Sequence, residues 1–328
     1  MGARTVALGI ILAVGVLATP PAALAQAGKA VRIGVLRPAP DDPVFRHNVE
    51  PFRQALRQGG FLEGTNLTIE WRVRAGSAEE ILALAGELVH LNVDAILAIA
   101  PAGVNASARR TKSIPIVAVD LETDPKAAGL VTSLARPGGN ITGLFLDFPE
   151  LSGKWLELLK EAVPKLVRVA VLWDPATGPS FLRGTEVAAR ALKVQVLLLE
   201  VRRPADFAGA FRSAATERAG AVLVLGSPVF NSARKQIAEL AAKHRMPAIM
   251  PFAGFAEDGG LMAYGPHVAS MFEQAGGVMV KVLRGTRPGE IPIERPARFE
   301  LVVNLRTAKE LGLTIPNSML LRADRVIE

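Results

Sequence analysis

The 328-residue chain has no cysteine. That excludes any disulfide framework and any lipid-modified cysteine at the start of a processed chain. Aromatic residues amount to only 5%, with a single tyrosine, against a hydrophobic fraction of 50%. A core built mainly from Val, Leu, Ile and Ala suits layered α/β architecture. Motifs that carry chemistry are missing as well. There is no Gly-x-Ser-x-Gly elbow, no phosphate loop ending in Gly-Lys-Ser or Gly-Lys-Thr, no Gly-x-Gly-x-x-Gly and no His-Glu-x-x-His. The four histidines, His47, His90, His244 and His267, stand far apart at no metal-ligand spacing. His90 and His244 fall near predicted helix ends, where a cation complements the dipole. The paired acids Asp41-Asp42 and Glu79-Glu80 fall at predicted helix starts, which accounts for them without acid/base work. A formal charge of +7 and a pI near 10 raise the question of nucleic acid. Yet Lys and Arg are scattered among acids, with no basic run and no stacking aromatics between them, so a solvated surface is the expectation.

What the chain does have begins at its amino terminus. Arg4 precedes an uncharged stretch from Thr5 to Leu17, and Ala23-Leu24-Ala25 before Gln26 is a small-x-small cleavage site. Residues 1–25 therefore read as a secretory signal; the alternative is a membrane anchor, but the apolar core is short of the ~20 residues a span needs and Pro20-Pro21 interrupts it. About 300 residues remain after cleavage, more than one core usually accommodates, which suggests two domains.

An internal repeat supports that division. Val31-Arg-Ile-Gly-Val-Leu-Arg-Pro-Ala is echoed by Val167-Arg-Val-Ala-Val-Leu-Trp-Asp-Pro-Ala, each a short apolar run ending in a proline turn. Three more pairs follow in the same order: 66–74 with 193–202, 95–101 with 221–228, and Ile114-Pro-Ile-Val with Met246-Pro-Ala-Ile. Helical stretches lie between them, at about 45–58, 78–88 and 102–111, then 185–192, 206–216 and 232–244. Strand and helix in alternation mean parallel sheets wrapped by helices. Ser77 with Glu80 forms a predicted capping box, Pro43 and Pro228 sit at first-turn positions, and Gly59 and Gly60 follow a helix end.

Residues 134–143, Leu-Ala-Arg-Pro-Gly-Gly-Asn-Ile-Thr-Gly, are a turn on physical grounds, since Pro137 fixes φ and Gly138, Gly139 and Asn140 tolerate positive φ. The run also resembles the hallmark of the ABC-transporter substrate-binding proteins with the type I periplasmic-binding-protein fold. Gly60-Phe-Leu-Glu-Gly-Thr-Asn, Thr123-Asp-Pro with Gly129-Leu-Val, Gly259-Gly-Leu-Met-Ala-Tyr-Gly-Pro and Asn304-Leu-Arg-Thr-Ala-Lys-Glu-Leu-Gly-Leu-Thr-Ile-Pro resemble the same family in the same order. The resemblance implies two doubly wound parallel-sheet lobes joined by a three-crossing hinge. The first lobe is expected over 31–143 with 265–290 returning to it, the second over 144–264 with 291–328. Gly143, Gly265-Pro266 and the stretch 288–296 are candidate hinge points, with ordinary turn use an equal account. The function implied is periplasmic capture of a small polar or amphipathic solute, an amino acid among the options, and its delivery to the membrane subunits of an ABC permease. A periplasmic ligand sensor, or an enzyme working in the same cleft, stands as the alternative. A regulator core of the lactose-repressor type shares this fold but carries a DNA-binding helix-turn-helix where this chain has a secretory signal. No cofactor, nucleic acid or lasting membrane insertion is implied.

In open parallel sheets ligands lie beyond the carboxyl ends of the strands, and with two facing lobes those ends line the interlobe cleft. The candidates are Arg37, Ala102, Gly103, Asn105, Asp120 and Glu122 from the first lobe, and Trp173, Asp174, Ser227 and Phe252 from the second. Amides at helix starts near Ala102-Gly103 and Ser227 are suited to a carboxylate, Asp120, Glu122 or Asp174 to an ammonium, and Trp173 and Phe252 to an apolar wall. His267 stands where the resembled family commonly carries an acidic or amide residue, and Lys126 where an apolar one is usual.

Overall fold

The computed structural model describes residues 30–39, 41, 43–146 and 148–328. The expected signal segment with its cleavage site, and Asp42 of the acidic pair, lie outside the described residues. The first half of the chain alternates β1 (Val31–Arg37), α1 (Pro43–Asn48), α2 (Glu50–Gln58), β2 (Leu67–Val73), α3 (Ala78–His90), β3 (Ala95–Ile99), α4 (Ala100–Arg110), β4 (Ile116–Asp120) and β5 (Ile141–Phe145). These strands form one wholly parallel sheet in the order β2-β1-β3-β4-β5. Periodicity alone joins residues 45–58 into one helix. Pro51 divides it, because its ring has no N–H to donate and collides with the carbonyl four residues back, so Val49 separates α1 from α2. In α3 the capping box is formed: the Glu80 N–H donates to Ser77 Oγ at 3.3 Å, and the Ser77 N–H to Glu80 Oε2 at 2.7 Å. Ile81, Leu84, Ala85 and Leu88 then lie buried on one stripe against the sheet.

The second half repeats the scheme with α5 (Phe148–Ala162), β6 (Arg168–Trp173), α6 (Ser180–Leu192), β7 (Gln195–Glu200), α7 (Phe207–Thr216), β8 (Ala221–Val224), α8 (Pro228–Ser232), α9 (Arg234–Lys243), β9 (Ala248–Met250), α10 (Gly254–Glu257) and β10 (Met262–Pro266). After α11 (Val268–Leu283) come β11 (Phe299–Asn304), α12 (Leu305–Glu310), α13 (Asn317–Leu320) and β12 (Arg325–Ile327). The second sheet runs β12-β11-β10-β9-β8-β6-β7. Strands β7-β6-β8-β9-β10 reproduce the order and parallel direction of the first sheet, so the sequence repeat is a structural one. The carboxyl-terminal pair departs from it: β11 runs antiparallel to β10 and carries β12 with it, making this sheet mixed.

Three crossings join the lobes. The chain leaves the first sheet after Phe145, and α5 packs beneath the second sheet. It leaves the second sheet after Pro266, and α11 lies along α2 of the first lobe, where Gly276 lets the two backbones close: a Cβ there would sit 2.6 Å from that of Ala55 and 2.9 Å from the Phe52 carbonyl oxygen. The last crossing follows 289–294, which are fastened to the 134–145 segment. The Gly138 N–H donates to the Gly289 carbonyl (3.1 Å), Ile293 N–H to Leu134 (2.7 Å), Glu294 N–H to Gly143 (2.9 Å) and Phe145 N–H to Glu294 (3.1 Å). Thr142 Oγ1 adds a bond to the Ile291 carbonyl at 2.9 Å. The Pro-Gly-Gly-Asn turn is thus a clasp for the third crossing, with the Asn140 amide holding the Ile114 carbonyl at 2.7 Å from the other side.

Two glycines are required here for different reasons. Gly143 holds φ +126° in the middle of β5, and a Cβ would come within 2.2 Å of the Ala118 carbonyl oxygen, so its role is close strand approach. Gly289 lies 2.9 Å from the Gly138 carbonyl carbon, measured from where its own Cβ would stand. Gly143→Ala and Gly289→Ala are each expected to lower stability by about 2 kcal/mol or more in urea denaturation. Gly139→Ala, with nothing within 4 Å of the added methyl, should stay within about 0.5 kcal/mol of the parent.

A candidate ligand cleft between the lobes

The carboxyl ends of both sheets meet across a cavity of about 510 Å³. Its first wall comes from the end of β1 (Arg37), helix α1 (Val44, Phe45, His47, Asn48), the β3–α4 junction (Ile99, Ala100) and the end of β4 (Val119, Leu121, Glu122). The opposite wall is Pro228, Asn231 and Ser232 of α8, Arg234, Phe252 beyond β9, and Glu257 and Arg325. His267, Met271 and Phe272 at the start of α11, with Glu300 of β11, close the hinge side. Ligand clefts of this size and mixed lining are typical of small-molecule sites.

The apolar part is built around Phe45, which meets Phe272 edge-on at 6.0 Å and Trp71 at 6.3 Å between centroids, while the Arg37 guanidinium lies 4.2 Å above its ring. Such stacking presents an arginine to the cavity without burying its charge. At the β3–α4 junction Ala100 takes φ +61°, a left-handed conformation that costs a non-glycine residue of order 1 kcal/mol. The turn sets Ala100 on the cavity wall, and with Pro101 lacking an N–H the next free amides are those of Ala102 and Gly103.

The end of β4 carries the unusual electrostatics. Asp120 is fully buried; its Oδ1 accepts from the N–H groups of Glu122 and Thr123, both at 3.0 Å, and its buried Oδ2 has no partner. Burial raises its pKa despite those bonds. Glu122, 9% exposed, accepts one N–H from Leu121 at 3.2 Å. Desolvation first, and the neighbouring Asp120 charge second, push it up to about 8. Neither carboxylate has an ion-pair partner among the described residues. A cavity wall with two acids and no counter-ion holds protons when empty and favours a cation when filled.

The sequence-derived candidates divide by position. Arg37, Glu122 and Phe252 line the cavity, with Asp120 directly behind Glu122. Ala102 and Asn105 are exposed on α4, outside the cavity lining, and Gly103 is buried against the Leu36 carbonyl, 3.2 Å from its would-be Cβ. Trp173 turns its Nε1–H to the Gly178 carbonyl at 3.1 Å. Asp174 and Ser227 satisfy one another: Ser227 Oγ–H donates to Asp174 Oδ2 at 2.6 Å, Asp174 Oδ1 accepts from the Ala176 N–H, and Ser227 Oγ caps α8 through the Val229 N–H. This buried link braces the ends of β6 and β8 and leaves neither side chain for the cavity. Phe45, Ala100, Asn231, Glu257, Glu300 and Arg325 were not marked by sequence reasoning; Phe45 lay within a plain amphipathic pattern, and Arg325 reaches the cleft only because the last strand docks beside β11.

Among the described residues no helix is long and apolar enough to cross a membrane, and no group of His, Asp and Glu is placed to hold a metal ion. The family model for ABC transporter substrate binding proteins matches residues 32–327. A tyrosine-binding protein of Clostridioides difficile (strain R20291) is 28% identical over 265 residues, 80% of this chain and 75% of that protein. Among solved structures, a conserved domain protein of Vibrio cholerae O1 biovar eltor superposes with a TM-score of 0.83 at 25% identity, covering 91% of this chain and all of the other. The ABC domain from Streptococcus pneumonia in complex with L-Trp gives the same TM-score and coverage at 22% identity. With two lobes of repeated topology, ligand-sized space between them and a family match across nearly the whole described chain, this protein belongs to the ABC transporter substrate-binding protein family.

Proposed function

We propose that the protein is exported to the periplasm, captures an amino acid or a related small amine in the interlobe cleft, and hands it to the membrane subunits of an ABC permease. The observation that carries the reading is the buried Asp120–Glu122 pair on the cavity wall, which lacks any counter-ion of its own. A ligand ammonium supplies that missing charge. Arg37 supplies the complementary anion site, and Phe45, Phe252 and Phe272 an apolar wall. A tyrosine-binding relative and a Trp-bound neighbour support an amino acid as the class of solute. Release is as important as capture, and a cleft walled by two lobes provides both: closure brings the second wall onto a solute already held by the first, and opening removes it. Delivery to a permease follows the family's role.

Three outcomes are expected. In small-angle scattering, saturating ligand reduces the radius of gyration; an unchanged profile with calorimetrically bound ligand would count against closure. Glu122→Gln or Asp120→Asn weakens binding of an amine ligand by about 2–4 kcal/mol in titration calorimetry, because the ligand ammonium is left with a diminished partner. Unaltered affinity in the double variant would remove the pair from the site. The third concerns pH. Glu122 has a folded pKa raised above its unfolded value of 4.5 to about 8, so the stability it contributes is fully present below about 4.5 and is lost as pH rises toward 8. Ligand-free melting temperatures of the wild type should therefore fall across that window more steeply than those of Glu122→Gln. Affinity for an ammonium ligand should rise over the same window, with proton release that appears as a buffer-dependent binding enthalpy.

A further inference from the structure

The cleft holds a second buried carboxylate, on the second sheet rather than on the first, which carries the Asp120–Glu122 pair. Glu300 is the second residue of β11, paired across the ladder with Gly265, and is only 8% exposed. It lines the cavity, and its carboxylate makes no hydrogen bond or ion pair among the described residues. The positive groups around it are committed elsewhere. Arg325, on the neighbouring strand, is bound by Glu257 at 2.7 Å, and Arg234 at the head of α9 pairs with Asp258 at 2.9 Å. His267, which caps α11, accepts the Ser270 N–H on Nδ1 at 3.3 Å, and the Ser270 hydroxyl lies 2.8 Å from the same nitrogen. Asp324, whose carboxylate accepts the Leu301 N–H at 2.8 Å, adds further negative potential behind Glu300.

A glutamate placed for structure alone would be paired or replaced by an apolar residue, since an unpaired buried carboxylate is costly. Here β11 already has its core face filled by Leu301 and Val303, so Glu300 adds nothing to that packing. We infer that Glu300 reads the distal end of the solute, and that the solute carries a second cationic group there, remote from the ammonium held by Asp120 and Glu122. The class is a basic amino acid or a comparable diamine with an apolar middle, spanning the cleft from the first lobe to the second. Phe252 and Phe272 line the same cavity and suit the apolar middle, and aromatic faces also tolerate a cation. Burial raises the Glu300 pKa, with His267 and Arg325 drawing it partly back, so the empty site is poised to exchange a proton for the ligand's charge.

This inference rests on the proposed reading of the cleft as an amine-binding site, and matched ligands separate the two. Titration calorimetry on the processed protein at pH 8 compares L-phenylalanine with 4-aminomethyl-L-phenylalanine, and L-norleucine with L-lysine. The cationic member of at least one pair should bind about tenfold tighter or more, as expected for one new close charge pair in a desolvated site. In Glu300→Gln that ratio should fall to within about twofold, and Glu300→Asp, which keeps the charge, should retain most of it. Binding of the neutral members with no cationic preference in the wild type would overturn the role of Glu300 and leave the amine reading standing. A preference that persists in Glu300→Gln would also overturn it. No detectable binding of any of the four at millimolar concentration would overturn both. If Glu300→Gln fails to fold, the wild-type ratios together with Glu300→Asp decide the matter.

Discussion

The cleft depends on one helix being held by a lobe to which its neighbours in sequence do not belong. Helix α11 is flanked by β10 and β11, both in the second sheet, yet it packs on α2 and against β4 and β5 of the first. Gly276 is what makes that seat possible, because any side chain there would meet the Phe52 backbone. Once α11 is seated, His267, Met271 and Phe272 must lie where the chain passes between lobes, and the hinge side of the cavity is closed by the same residues that transmit any movement. The His267 N–H donates to the Arg298 carbonyl at 2.9 Å, so the second and third crossings run side by side and are tied to each other.

The electrostatics follow from that geometry. A carboxylate at a strand end on an open surface would be hydrated and ordinary. Facing a cavity walled by two lobes, Asp120, Glu122 and Glu300 lose water without gaining cations, and all three are displaced toward the protonated form. The arginines on the second wall relieve this only in part, since each already pairs with its own carboxylate and Arg325 draws Glu300 only partly back. The net +7 of the chain thus says nothing about its binding surface, whose lining sets three arginines against three glutamates.

Much of the fold was legible because its signals are local and repeated. Two sets of apolar runs ending in proline turns, at Val31 and Val167, and a capping box at Ser77 need no tertiary knowledge. What periodicity missed was decided by tertiary contact or by backbone conformation. The antiparallel β11 and β12 pair only because they add to a preformed edge, and Ala100 gives no sign in sequence that it will adopt φ +61°. The rule that ligands gather at strand ends picks out Arg37, Glu122 and Phe252, which line the cavity, but it does not tell a side chain facing the cleft from one turned to bind its neighbour. Asp174 and Ser227 are of the second kind, their polar atoms spent on each other at 2.6 Å. Glu300 and Arg325 escaped attention because the segment that carries them returns to the cleft from far along the chain.

The fastening of 289–294 along β5 also bears on resistance to aggregation. All five residues of β5 are buried, and an apolar strand at the rim of a sheet is the place where another chain can add. Glu294 occupies that position through its two bonds to β5, while the outward N–H of Ile293 is taken up by Leu134. Pro292 and Pro296, two residues to either side and sharing the orientation of Glu294, have no N–H to extend the ladder, so the cover is one rung long. The segment that leads into the third crossing is therefore also the guard of the sheet's rim, and a fold that loosened it would offer β5 to its neighbours as a template for aggregation.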